Sequence, residues 1–197
     1  MKKSNQKQNK WTLLGFDSAE EMYFDAWLKE LGIEYKYKPE PFVLCDPVKL
    51  RQQNQRSIKE VHLLHGLSYQ ADFLIKAPFP DRISTILFSM DISISPIKEP
   101  LKNALFLSNG NSVFLDSKGT NFMGSSRSSD IRFPPTQKMV YDKFGIYVNS
   151  VVPDKLFEKT FAPECYFFSP TGKERTKKIN NEFVGFGKLY KRIKDVL

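Results

Sequence analysis

The sequence predicts an α/β (α+β) domain in which helices pack against a mixed sheet. Three observations lead there. The stretch "FDSAEEMYFDAWLKELG" has apolar residues at helical spacing. Several later stretches alternate apolar and polar residues with the period of two that marks strands. A second helical pattern, closed by Gly145, runs straight into the strand-like "IYVNSVV". Helix, several strands, helix and strand in that order form a layered domain.

Each element has its own signals. Ser18 with Glu21 three residues on makes a capping box, and Asp17 with Glu20 offers a competing register. Phe24, Trp27, Leu28 and Leu31 form the helix's apolar stripe, and Gly32 ends it. "IEYKYKPEPFVLC" reads as two short strands interrupted by prolines, and "LRQQNQRSIKE" as a polar, basic, exposed helix or loop. "LSYQADFLIK" (67–76) alternates Tyr69, Ala71, Phe73 and Ile75 against Ser68, Gln70, Asp72 and Leu74, which suits one strand. "STILFSMDISIS" is another strand, and "ALFLSNGNSVFLDSKG" a hairpin turning at Asn109-Gly110. The Gly- and Ser-rich 119–132 reads as a mobile loop, and "PPTQKMVYDKFG" as a helix opened by proline.

Composition bounds the functional classes. A hydrophobic share of 41%, with 14% aromatic, supplies one compact core, so 1–197 reads as a single domain. Residues 1–10 form a disordered arm, and 172–197 a basic tail. No apolar run approaches the roughly 20 residues of a membrane-spanning helix. The basic start leads into no signal-peptide apolar region, which points to the cytoplasm. Cys45 and Cys165 are isolated, as free thiols in a reducing compartment would be, and no spacing gathers them with His62 and His65 into a zinc site. Thirty Lys and Arg against 22 Asp and Glu leave a formal charge of +8, which suits a polyanionic partner.

One stretch carries chemistry. "SVFLDSKGT" ends a buried strand with Asp116 and Lys118 two residues apart, hence on one face. Asp72 stands in a strand apolar on both sides, where an unpaired carboxylate is costly. Glu21 lies at the edge of the first helix's core stripe. Three carboxylates and a lysine, each on the inward side of a regular element, suit one site for a hard divalent cation such as Mg2+. Such a cation acidifies bound water and offsets charge on a phosphate, and a lysine orients that water.

These residues resemble the PD-(D/E)XK nuclease superfamily: a helix acid (Glu21), a strand acid (Asp72), then acid-X-lysine (Asp116-Ser117-Lys118). The chain is most similar to a phage-encoded branch of endonuclease-like proteins whose core is like that of Holliday junction resolvases. "LGFDSAEE", "PEPFVL", "YQADF" and "LDSKGT" followed by "TQKMVYDK" match that branch in order, over roughly 15–152. Ala71 stands where the pattern has proline, and the 44 residues from Asp72 to Asp116 imply an insertion at about 77–111. That insertion holds Asp91, a rival strand acid.

The resemblance implies a restriction-endonuclease-like core and a Mg2+-dependent DNA endonuclease, with Mn2+ as a substitute. Asp72, Asp116 and the Ser117 carbonyl would ligate metal, Glu21 would hold a second metal or its water, and Lys118 would position the nucleophile. It further implies a homodimer acting on branched DNA in phage recombination, replication or packaging, within the host-cell cytoplasm. An exonuclease or nicking enzyme on the same site, and a DNA-binding protein that has lost catalysis, are the alternatives. Arg127, Lys138, Lys173, Arg175, Lys177 and Lys178 are the expected DNA contacts. Gln137 and Tyr141 share a helix face and echo the QxxxY pair of related exonucleases.

Overall fold

A computed structural model of the chain describes residues 10–54, 57–76, 107–108, 111–119, 128–168 and 190–195. A single helical turn, α1 (Lys10–Leu13), precedes α2 (Ala19–Glu30). Ser18 is the N-cap of α2, with its side chain accepting from the Glu21 amide, so the Ser18–Glu21 register is the one adopted. Gly32 takes φ +67, the left-handed conformation that lets a helix stop there.

Strands β1 (Tyr35–Tyr37), β2 (Phe42–Cys45), β3 (Val48–Asn54), β4 (Ser57–Leu64), β5 (Leu67–Tyr69) and β6 (Phe73–Lys76) follow. After them come β7 (Ser112–Ser117), α3 (Ser128–Phe144), β8 (Val148–Val151) and α4 (Pro153–Lys159). The main sheet has the order β1-β6-β7-β8, antiparallel except for the parallel pair β7–β8. This is an α+β architecture with a mixed sheet.

Each face of the sheet is covered. On one, Phe73, Ile75, Val113 and Leu115 pack against Phe24, Trp27 and Leu28 of α2 and Leu156 and Phe157 of α4. On the other, Phe114 and Val148 meet Phe133 and Val140 of α3, together with Leu44 and Ala71. Burial on both faces explains the nearly unbroken apolar run of β7, where Val113 to Asp116 are all buried. Ser108 and Ser112 exchange both backbone hydrogen bonds, at 2.7 and 2.9 Å, closing the expected hairpin at the start of β7.

Three expectations are corrected. "LRQQNQRSIKE" is neither helix nor loop but most of the β3–β4 hairpin. The stretch 67–76 is two strands in two sheets, since β5 pairs with β2 and β6 with β1 and β7. The break falls at Gln70–Asp72, where the Gln70 amide donates to the Pro39 carbonyl at 2.8 Å. Helix α3 begins at Ser128, inside the expected loop, and holds Pro134 and Pro135 within it. Proline removes a helical hydrogen bond there, yet burial of Phe133 and Val140, two turns apart on one face, carries the helix through. Of the expected basic tail 172–197, the described residues 190–195 pack on the body: Tyr190 and Ile193 join the first core cluster, and the Ala162 amide donates to the Lys191 carbonyl at 2.8 Å. Most of the 77–111 insertion, "STILFSMDISIS" with Asp91, and the arm 1–9 lie outside the described residues.

Phe73 is fully buried and meets Phe24, Tyr35 and Tyr37. Phe73→Ala is expected to cost about 3–5 kcal/mol in a urea unfolding curve. Removing 190–197 is expected to lower the unfolding midpoint too, because it strips Tyr190 from Tyr166.

Candidate functional site

The β6–β7 ladder ends with Phe73 opposite Leu115, and the next positions in that register are Asp72 and Asp116. Two acids therefore face each other where the sheet opens. The Asp72 carbonyl accepts from the Lys38 amide at 2.8 Å, which fixes the approach to β6 from the β1 side. On the other side, the Ser117 amide donates to Asp72 Oδ2 at 2.7 Å. One carboxylate thus bridges the strand ends.

Asp116 is 5% exposed. Its Oδ1 lies 2.5 Å from Lys118 Nζ, and its Oδ2 accepts from the Tyr69 hydroxyl. The Lys118 ammonium also sits 4.5 Å above the Phe133 ring. Its backbone amide donates to the Val151 carbonyl at 2.7 Å, which extends the β7–β8 pairing by one bond and holds the lysine in place.

Glu21 arrives from the first turn of α2. It is buried, and its carboxylate accepts from Ser18 Oγ at 2.9 Å, the Tyr37 hydroxyl at 2.7 Å and the Asp17 amide at 3.2 Å. Its carboxylate closes the capping box and its charge also acts on Asp72. Gly119 opens directly onto this helix, where a side chain would meet Glu20 Oε1 at 3.5 Å.

The electrostatics show how tightly these groups are set. Burial lifts the Asp72 carboxyl well above the ordinary range, and the charges of Asp116 and Glu21 lift it further. The Ser117 amide and Lys118 pull it partly back. Burial also raises the Tyr69 hydroxyl, as does the charge of Asp116, and Tyr37 rises through burial and its bond to Glu21. Both tyrosines therefore stay protonated and donate.

The structure brings Asp72, Asp116, Lys118 and Glu21 into one neighbourhood, with Ser117 between them. It does not bring three carboxylates into a single ligand set: among the described residues, no three His, Cys, Asp or Glu side chains group closely enough to hold a metal ion. The arrangement is an aspartate pair with a glutamate held back by its own donors. His65 and Cys45 are exposed and join no such group.

Other expected residues fall elsewhere. Gln137, Lys138 and Tyr141 line a cavity of about 560 Å³ with Leu107, Ser108, Gly145 and Tyr147. Ser108 bridges to Ser112, so this cavity lies toward the start of β7, away from Asp116 at its end. Gln137 instead donates to the Val148 carbonyl at 2.5 Å. Arg127, Lys173, Arg175, Lys177 and Lys178 lie outside the described residues. The sequence reading missed Tyr69, Tyr37 and Phe133, which hold Asp116, Glu21 and Lys118. Tyr69 begins the "YQADF" stretch and Tyr37 alternates with Tyr35, which shows the strand positions of both but not that their hydroxyls hold the acids.

Asp72→Asn keeps an acceptor for the Ser117 amide and removes one of the opposed charges. The native state holds the Asp72 proton more tightly than the unfolded chain, so that contribution to stability is present below the ordinary carboxylate pKa of 3.8 and lost as pH rises through the raised value. The variant is therefore expected to melt a few degrees above the parent at pH 7 and level with it below that lower pH, read by thermal denaturation.

The chain matches no protein-family model, no curated protein and no solved structure.

Proposed function

We propose that this protein is a divalent-metal-dependent endodeoxyribonuclease on a restriction-endonuclease-like core, hydrolysing phosphodiester bonds in branched DNA as a homodimer. One observation carries the reading: Asp72 and Asp116 face each other at the end of a ladder, with Lys118 at 2.5 Å from Asp116. The mixed α+β sheet and the net charge of +8 agree with it.

The donors fit a hard cation. Two carboxylates pressed together, one of them with its pKa raised by burial and then by the charge of the other, form a site that positive charge relieves. Mg2+ takes one or two protein carboxylates and keeps waters and phosphate oxygens as its other ligands, so an aspartate pair suffices. Asp72 and Asp116 would hold it, with the Ser117 carbonyl, which leaves the strand on the same edge as the amide that meets Asp72. Bound there, the ion would acidify a water and screen phosphate charge, and Mn2+ would serve in its place.

The chain's own groups do the rest. Tyr69 fixes Asp116 through Oδ2. Lys118, held between Asp116 and Phe133, presents an ammonium that hydrogen-bonds the attacking water or a phosphate oxygen as charge develops. Glu21, fixed by Ser18 and Tyr37, orders water from the helix side. Water oxygen gives up a proton to solvent as it bonds to phosphorus, the phosphorus–oxygen ester bond breaks, and the departing alkoxide takes a proton from solvent. No covalent intermediate with the protein forms.

Incubation with four-way, nicked and linear DNA, with Mg2+ or with EDTA, tests this. Cleavage of the four-way substrate only with Mg2+ is expected, and symmetric paired cuts mark the dimer. Lys118→Ala and Asp116→Asn are expected to cut the rate by about 10²–10⁴-fold or more with circular dichroism unchanged. Asp72→Ala should be inactive and Asp91→Ala active. Full activity in Lys118→Ala or Asp116→Asn overturns the site. Mg2+ at millimolar concentration is also expected to raise the melting temperature of the parent protein and not of Asp72→Asn, a readout independent of turnover.

A further inference from the structure

The β3–β4 hairpin stands apart from the core. Every described side chain from Val48 to Gln53 and from Ser57 to Val61 is exposed, on both faces of the ribbon. Arg51 pairs with Glu60, and Gln52 with Lys59. Lys49, Arg51 and Gln53 therefore share one face, while Gln52 and Lys59 share the other. A two-stranded ribbon with no covered face is marginal by itself in water. Its exposure calls for an occupant.

We infer that this ribbon enters the major groove of duplex DNA beside the cleavage site, an inference that rests on the nuclease reading above. The major groove, about 12 Å wide, admits a two-stranded β-ribbon. Eight residues of strand reach about 27 Å, enough to follow the groove across several base pairs. The residue types fit. Lys49, Arg51 and Lys59 oppose a single acid, Glu60, and supply phosphate contacts, while Arg and Gln are the side chains that read guanine and adenine edges. A second copy of the chain is a poorer occupant, because the exposed Val48, Leu50, Ile58 and Val61 are interleaved with Lys49, Arg51, Lys59 and Glu60, and the cores of protein interfaces are depleted in Lys and Glu. The ribbon's attachment adds the link to catalysis. It springs from the β2–β5 pair, and β5 ends at Tyr69, the residue that holds Asp116. At its root Gly66 lies so close to the chain that a side chain there would meet the Cys45 carbonyl and the Pro47 ring at 3.2 Å. A groove gripped by the ribbon is thus tied through five residues to the aspartate pair.

The test is binding of a fluorescein-labelled 30-base-pair duplex to the full-length protein in EDTA, by anisotropy across a salt series. The triple variant Lys49→Glu, Arg51→Glu, Lys59→Glu is expected to flatten the log–log salt slope by about 2 to 3, at roughly 0.9 per lost phosphate contact. Arg51→Ala alone is expected to weaken binding about tenfold and to abolish interference by N7-methylated guanine, a major-groove mark. Unchanged affinity, slope and methylation interference in both variants overturn the inference. So does a change of sedimentation mass in Leu50→Asp with DNA binding intact, which would give the ribbon to a second copy. Because EDTA removes cleavage from the readout, the ribbon is judged even if the protein cuts nothing. Conversely, a parent that cleaves and ribbon variants that bind normally would leave the nuclease reading standing alone.

Discussion

Like charges set opposite each other repel, and at the end of the β6–β7 ladder the register places Asp72 against Asp116. Much of the surrounding chain serves to hold that pair. A backbone amide from Ser117 binds one acid, and a lysine and a tyrosine bind the other. Neither partner of Asp116 is adventitious in position. Lys118 is fixed by its own amide to β8, and Tyr69 by the pairing of β5 with β2. Even so, burial above all, and then the charges of Asp116 and Glu21, keep the Asp72 pKa raised.

The two-faced sheet makes the placement possible. With α2 and α4 over one face and α3 over the other, acids can reach the open end from both sides. Glu21 comes from the helix layer and Asp116 from the sheet, while Phe133 of α3 supports Lys118 from beneath. The hydrophobic effect sets the layers, and the polar groups then occupy the rim those layers leave.

How much of this was legible in the sequence depended on the range of the interaction. Helix α2, its Ser18 cap and its Gly32 stop are written in neighbours three or four residues apart, and they appear as read. The alternation that buries Phe73 and Ile75 on one face is equally local and holds, but Ala71 joins the other cluster, and the break at Asp72 depends on Lys38 and Ser117 far away in sequence. The β3–β4 ribbon was hidden because "LRQQNQRSIKE" is polar apart from Leu50 and Ile58, one in each strand, which leaves no period-two signal to read. In α3, two prolines outweighed the apolar spacing in the sequence and lost to it in the structure. The site acids stood out by cost, as carboxylates in apolar surroundings. The hydroxyls that hold them did not, since a tyrosine on a half-buried strand is ordinary.

The Gln137 amide that binds the Val148 carbonyl also bears on solubility. Val148 belongs to β8, the last strand in the order of the main sheet, and such a border invites another chain to add a strand. The neighbouring Val151 carbonyl points inward to Lys118, so by alternation that of Val148 points outward, where the amide occupies it. At the opposite border β1 is only three residues long and turns the exposed Lys36 to solvent. One border is plugged by a side chain and the other is short and charged. Both borders of the main sheet therefore offer less open backbone for another chain to pair with.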